Sequence, residues 1–159
     1  MVQDWLKHAE RTPNTYVFRL IDVSEKITPD VTIKSYLGEE LLKAYRDIEF
    51  LKSKFSKLPE QELIDYIKKH VLPSNRSQIS KNVSQGDFGE VVASLIVSYF
   101  QNLIVPAKKL RLKINNEKSV FGTDMIAHNP GAVITDMYYY EIKTKIRLEK
   151  IYPKPGEPP

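Results

Sequence analysis

Apolar residues recur every three or four positions along two stretches of the N-terminal half of the chain. Residues 39–55 and 61–72 both follow this period, which places their apolar side chains on one face of a helix. We therefore predict two amphipathic helices, the second ended by Pro73 because proline cannot continue a helix. The polar residues 73–82 are predicted to form a loop.

The segments before these helices have the composition of strands. Residues 16–23 are rich in aromatic and β-branched side chains and are predicted to form a strand, and residues 31–34 are a candidate for a second strand. Residues 1–82 are therefore predicted to form an N-terminal α/β extension.

A longer and more apolar helix is predicted over residues 84–103. Ser84 and Asp87 have the spacing of a capping box, in which side chains at both positions bind amide groups of the first helical turn. The polar side chains within this helix are three or four positions apart, so they form one narrow stripe. The stripe consists of Asp87, Glu90, Ser94, Ser98 and Gln101.

After this helix the period changes to two, which is typical of strands. Residues 108–114 alternate apolar and basic side chains and are predicted to form a strand with one basic, solvent-facing side. Two further strands are predicted over residues 120–128 and 133–145, separated by a turn at residues 129–131 that contains proline and glycine. The chain is thus predicted to be a mixed α/β protein in which a helix is followed by three strands.

Length and composition are those of one globular domain. The chain has 159 residues, of which 42% are hydrophobic and 28% charged. It has no cysteine, which excludes disulfides, thiolate metal sites and cysteine nucleophiles. No apolar run is long enough to cross a membrane, and the first ten residues lack the apolar segment of a signal peptide, so we expect a cytoplasmic protein with no membrane partner.

The net charge of +4 comes from the C-terminal half of the chain. Residues 1–70 hold 12 basic and 12 acidic residues, whereas residues 71–159 hold 12 basic and 8 acidic ones. A basic surface suits a polyanion such as nucleic acid. Lysines that only keep the surface soluble would give the same balance.

Two acidic side chains and a lysine are predicted to meet on neighbouring strands. Glu141 and Lys143 are two residues apart and share a strand face, and antiparallel pairing with the preceding strand brings Asp124 beside Glu141. Adjacent carboxylates repel each other unless a cation lies between them, and Mg²⁺, or Mn²⁺ as an alternative, binds such oxygen ligands. A lysine beside the ion can hold a water and stabilise a phosphate, so this arrangement predicts phosphodiester hydrolysis.

The placement of these residues is more informative than the short E-x-K motif itself. Glu90 in the helix, Asp124 in the middle strand and residues 141–143 in the last strand resemble the PD-(D/E)xK nuclease superfamily. Its members are mostly Mg²⁺-dependent DNA nucleases with an αβββαβ core. Thr123 stands where the superfamily often has a proline.

A narrower resemblance rests on three short segments. They are QGDFGE at residues 85–90, FGTD at residues 121–124 and YEIKTK at residues 140–145. Together they resemble the HamA family, the nuclease subunit of the Hachiman anti-phage defence system. This resemblance implies a metal-dependent DNA endonuclease that acts in anti-phage defence with a helicase-type protein partner.

The resemblance also implies a role for each matched residue. Asp124 and Glu141 would ligate the metal, together with the backbone carbonyl of Ile142. Lys143 would position the attacking water, and Glu90 would orient the site or contact the metal through water.

Each of these assignments has a simpler alternative. Glu90 would lie on the solvated stripe of a packed helix, and Asp124 would bind amide groups of a local turn. Glu141 and Lys143 would belong to an exposed strand face, on which Lys145 competes as the functional lysine.

Basic residues near the predicted site are expected to follow the phosphate backbone of DNA without reading its sequence. They are Lys108, Lys109, Arg111, Lys113 and Lys145. For each of them a solvated strand face is the alternative.

The predicted nuclease core, residues 83–152, is incomplete, because an αβββαβ fold requires a further helix and strand after Lys143. Residues 153–159 contain four prolines and are predicted to be a tail. The exposed edge of a partial sheet can pair with a partner or with a second copy, so a homo-oligomer is also expected as a candidate. The alternative function is a catalytically incomplete subunit that binds DNA or its protein partner.

Overall fold

The computed structural model describes residues 1–10, 21–57 and 59–145, and it confirms the predicted mixed α/β class. The chain begins with helix α1 (Val2–Trp5), which leads into strand β1 (Leu6–Glu10). Strand β2 (Ile21–Glu25) pairs antiparallel with β1, in agreement with the C-terminal end of the strand predicted over residues 16–23. The remainder of that strand lies outside the described residues, as does the predicted tail over residues 153–159.

Aspartate side chains cap the two helices that follow β2. Helix α2 (Val31–Tyr45) follows Asp30, whose carboxylate accepts a hydrogen bond from the Ile33 amide at 2.9 Å, so the predicted strand over residues 31–34 is wrong. The long helix predicted over residues 39–55 is divided, because Asp47 caps a separate helix α3 (Ile48–Lys54).

The helix predicted over residues 61–72 is confirmed, with one change of geometry. Helix α4 (Glu60–Tyr66) continues as a π-helical turn over Ile67–Val71. Val71 is buried against α2, so this turn anchors the helix to the core.

The longest helix of the described residues, α5 (Gln78–Phe100), begins earlier than predicted. Its N-cap is Ser77, whose hydroxyl accepts a hydrogen bond from the Ser80 amide at 3.1 Å. The predicted capping box at Ser84 is therefore wrong, and residues 78–82 are helical rather than a loop. The boundary predicted between residues 82 and 83 lies inside α5. None of the described helices is long and apolar enough to cross a membrane.

The three predicted strands after α5 are only partly confirmed. Strands β3 (Met125–His128) and β4 (Met137–Tyr140) pair antiparallel, as expected, and Gly131 has a φ of +129° in the connection between them. Both strands are shorter than the predicted ranges 120–128 and 133–145, so Asp124, Glu141 and Lys143 lie just outside them. The strand predicted over residues 108–114 is wrong, because a 3₁₀ turn (Lys109–Leu112) forms there. Within the described ranges, the helix is therefore followed by two of the three predicted strands.

Helix α5 contributes to each of three apolar clusters that form the core of the described residues. One of its faces packs on α1, β1 and α2, where the buried side chains are Val2, Trp5, Leu6, Ile33 and Leu37. Val91 joins a second cluster with Tyr45 and Leu110, and Val97 joins a third with β3. Because α5 is held on several sides, side chains on its remaining surface are fixed relative to β3 and β4.

Candidate active site

An open cleft of about 580 Å³ lies where α5 meets the ends of β3 and β4. The four residues predicted to be catalytic line this cleft together with Ile142: they are Glu90, Asp124, Glu141 and Lys143. The strand register explains the arrangement. Met125 at the start of β3 is paired with Tyr140 at the end of β4. The next pair of opposed positions is therefore Asp124, just before β3, and Glu141, just after β4.

Asp124 is held by groups on both sides of the cleft. Its Oδ2 accepts a hydrogen bond from the Ile142 amide at 2.8 Å, and its Oδ1 is 2.8 Å from Nζ of Lys109. Burial opposes ionisation of this carboxyl, but the Ile142 hydrogen bond and the Lys109 ammonium outweigh it, so the pKa of Asp124 lies below its ordinary value. Asp124 is therefore a carboxylate at neutral pH and directly contacts the backbone of the E-x-K segment.

Glu90 points into the same cleft from the fourth turn of α5. Its side chain is 21% exposed, and Oε1 lies 3.9 Å from Nζ of Lys109. Burial raises the pKa of Glu90 to about 7, although the nearby ammonium of Lys109 lowers it in part. The alternative in which Glu90 lies on a solvated face does not describe this environment, since the polar stripe of α5 faces inward here and Asp87 and Ser94 are buried.

Glu141 and Lys143 form the exposed rim of the cleft. Their side chains are 71% and 82% exposed, and Nζ of Lys143 is 2.5 Å from Oε1 of Glu141. The hydrogen bond and the charge of Glu141 raise the pKa of Lys143 above its ordinary value. Both side chains are therefore accessible to a substrate from solvent.

The basic residues predicted to contact DNA have different environments. Lys145 lines the cleft, and Lys108 lines a smaller cavity beside it. Arg111 donates hydrogen bonds at 3.2 and 3.0 Å to the backbone carbonyl of Lys43. Lys109, which we expected on a solvent-facing strand, instead points into the cleft and is only 13% exposed. DNA contact by Lys108, Arg111 and Lys145 remains a prediction.

Lys113 is the clearest departure from the predicted basic strand face. Its side chain is 2% exposed and pairs with the equally buried carboxylate of Asp87 on α5. The hydroxyl of Tyr45 donates to the same carboxylate oxygen, and burial together with Asp87 raises the pKa of this hydroxyl above its ordinary value. Lys113 therefore joins α2, α5 and the segment after the 3₁₀ turn, and in this position it does not face a DNA phosphate.

Gly89 permits the close approach of α5 to the segment that follows β4. A Cβ placed on Gly89 would lie 2.9 Å from Cβ of Thr144, a distance that real side chains do not adopt. A glycine inside an apolar helix indicates a close approach of another segment. The approaching residue, Thr144, is 55 positions away, so no local pattern predicts which segment it is.

Gly89→Ala is expected to lower the free energy of unfolding by about 1–3 kcal/mol, because the added methyl group forces α5 and Thr144 apart. Gly86→Ala is the matched control in the same helix, since a Cβ at Gly86 would meet nothing within 4 Å. The control is expected to raise stability by up to about 1 kcal/mol through helix propensity alone. Urea unfolding of both variants measures the difference, and equal stabilisation by both would contradict a close approach at Gly89.

The donors in the cleft match the chemistry of a hard divalent cation. Asp124, Glu141 and the carbonyl of Ile142 supply oxygen ligands, which Mg²⁺ and Mn²⁺ prefer, and all three residues line one cleft. Across the part of the chain that the structure describes, no group of three or more Asp, Glu, His or Cys side chains is already arranged around a metal position. The ligand types therefore fit a metal, but in this conformation Asp124 is paired with Lys109.

A comparison with protein families gives one match, which extends far beyond the three resembling segments. The model of the family described as HamA matches residues 2–151. No curated protein and no solved structure matches the chain. The match includes the N-terminal segment as well as every residue that lines the cleft.

Proposed function

Because the chain belongs to the HamA family, we propose that it is a metal-dependent DNA endonuclease, the nuclease subunit of a Hachiman defence system. Family membership itself indicates an anti-phage defence protein of this system. The observation that carries the nuclease proposal is the hydrogen bond from the Ile142 amide to Asp124. This hydrogen bond joins Asp124 directly to the E-x-K segment, in a cleft that Glu90 also lines.

Each residue of the cleft has a chemical task in this proposal. Asp124, Glu141 and the carbonyl of Ile142 would hold Mg²⁺, with Mn²⁺ as an alternative, and Glu90 would orient the site or bind through water. The bound ion would activate a water and offset the negative charge of the phosphate. The ammonium of Lys143, exposed beside Glu141, would position the attacking water and stabilise the phosphate as the phosphorus–oxygen bond breaks.

DNA and a helicase-type protein are the proposed partners. Lys145 and Lys143 both line the cleft, and their ammonium groups would bind backbone phosphates of the DNA. Strand β4 presents exposed apolar side chains at Met137 and Tyr139, which are 54% and 68% exposed. Such a surface suits a protein partner or a second copy of the chain.

Wild-type protein is expected to nick supercoiled plasmid DNA in Mg²⁺ and to lose this activity in EDTA. The double substitution Glu141→Ala plus Lys143→Ala is expected to give no cleavage above the background of the buffer, since it removes a ligand and the ammonium beside it. Conversion of supercoiled to open circular DNA on agarose gels measures both. Equal nicking by wild type and the double variant would refute the proposal.

The environment of Asp124 favours a second candidate, a catalytically incomplete subunit that binds DNA or its partner. Lys109 already neutralises Asp124, and Glu141 is paired with Lys143. If these pairs persist with DNA present, the protein is expected to bind DNA with a strongly salt-dependent affinity and without cleavage. Fluorescence anisotropy with a labelled duplex at several salt concentrations, together with the plasmid assay, separates the two candidates.

A further inference from the structure

An ammonium group lies between two carboxylates at the inner end of the cleft. Nζ of Lys109 is 2.8 Å from Oδ1 of Asp124 and 3.9 Å from Oε1 of Glu90. The three side chains are only 13%, 18% and 21% exposed, so solvent screens their charges weakly. The ammonium thus binds Asp124 directly and lies at ion-pair distance from Glu90, and both acidic residues line the proposed metal site.

A divalent cation bound to Asp124 would share its carboxylate with Lys109. Asp124 Oδ2 accepts a hydrogen bond from the Ile142 amide and Oδ1 is bound to Lys109, so each oxygen already has one partner. An ammonium and a metal ion that both contact this carboxylate would lie close together, and their positive charges would repel each other strongly. Binding of one cation therefore opposes binding of the other.

We propose that Lys109 is an internal competitor of the metal: its ammonium binds the carboxylate of Asp124 that a divalent cation would also contact, and it must leave Asp124 when the metal binds. The inference rests on the proposed function, because it assumes that Asp124 is a metal ligand. It assigns Lys109 a positioning and regulatory role inside the cleft, in place of contact with the DNA backbone.

The surroundings of Lys109 allow the side chain to move while its backbone stays in place. The next residue, Leu110, is 3% exposed in the core, so the 3₁₀ turn is anchored. The lysine side chain itself has four rotatable bonds, and the Gly122 carbonyl, 3.4 Å from Nζ, is a second acceptor outside the carboxylate pair. Release from Asp124 therefore requires a change of rotamer and no change of fold.

Removal of the Lys109 charge is expected to strengthen metal binding. Mn²⁺ is titrated into the full chain by isothermal calorimetry, and Lys109→Met is expected to bind it about 5- to 150-fold more tightly than wild type, the usual range of coupling between two sites. Lys108→Met is the matched control. It removes the same charge one residue away, and no ion pair involves Lys108 among the residues that the structure describes.

The possible outcomes separate this inference from the proposed function. Equal Mn²⁺ affinity of wild type and Lys109→Met would overturn the competition while leaving a metal site in place, and an equal gain in Lys108→Met would assign the effect to net charge and also overturn it. No Mn²⁺ binding by any of the three would overturn both the competition and the metal-dependent nuclease.

A second variant keeps the test decisive if Lys109→Met does not fold. Lys109→Gln keeps a polar side chain of similar length without the charge, and its melting temperature is compared with that of wild type at increasing Mn²⁺. The variant is expected to melt lower without metal and to gain more from Mn²⁺ than wild type. An equal or smaller gain would overturn the competition.

Discussion

Asp87→Ala is expected to lower the free energy of unfolding by about 3–5 kcal/mol, a large part of the stability of a typical domain. Nζ of Lys113 and the hydroxyl of Tyr45 both donate to the same oxygen of Asp87, and the ammonium also lies 5.5 Å from the centre of the Tyr45 ring. Without Asp87 the Lys113 side chain, 2% exposed, retains a buried charge that has lost its counter-ion. Urea unfolding followed by circular dichroism measures the loss.

Two comparisons make this prediction specific to a buried charge. Glu49→Ala breaks an ion pair with Lys52 in which both side chains are more than 60% exposed, and it is expected to cost less than about 1 kcal/mol. The double substitution Asp87→Leu plus Lys113→Met replaces both charges with apolar groups and is expected to recover much of the stability. A loss for Asp87→Ala as small as that for Glu49→Ala would show that the pair does not hold α5 in place.

The same buried pair explains why the strand predicted over residues 108–114 did not form. The alternation of basic and apolar residues predicts that the apolar side chains face inward, whereas Lys113 is buried and Leu112 and Ile114 are exposed. The deciding partner, Asp87, is 26 positions away, so the local period contains no information about it. A buried carboxylate on α5 therefore outweighed the strand pattern.

The start of α5 was missed for a different reason. Ser77 and Ser84 are both serines before helical residues, and only Ser84 is followed by an acid at the third position. In the structure Ser77 is the cap, and the acid, Asp87, serves the buried contact with Lys113 instead. A capping pattern identifies a residue able to begin a helix and does not exclude an earlier start.

The position of the candidate site was more predictable than the surrounding fold, because it depends on short-range pairing. A connection of eight residues, 129–136, joins β3 and β4, and their antiparallel pairing brings Asp124 beside residues 141–143. Glu90 was identified as an isolated acid in an apolar helix, and that helix exists. The location of Lys109 between Glu90 and Asp124 depended on the 3₁₀ turn, which the alternating pattern concealed.

Asp124→Asn is expected to slow Mg²⁺-dependent plasmid nicking at least about a thousandfold, equivalent to about 4 kcal/mol of transition-state stabilisation. The amide oxygen of asparagine can still accept the hydrogen bond from Ile142, so the E-x-K segment keeps its position. The charge is lost, however, and the amide NH₂ group replaces the oxygen that faces Lys109. The variant therefore separates the electrostatic task of Asp124 from its structural one. Initial nicking rates in saturating Mg²⁺, with urea unfolding of the same preparation, measure both.

Asp136→Asn is the matched control, because Asp136 is exposed in the turn before β4 and its carboxylate accepts a hydrogen bond from the hydroxyl of the neighbouring Thr135. It makes the same chemical change outside the cleft and is expected to leave the nicking rate unchanged. If Asp124→Asn retained a rate within about threefold of wild type, less than 1 kcal/mol of transition-state stabilisation would depend on the charge. Asp124 would then be an aspartate that only binds local amide groups, and the metal would have to be held by other donors. A folded variant with almost no activity would instead show that the reaction requires the carboxylate charge, as expected for a metal ligand.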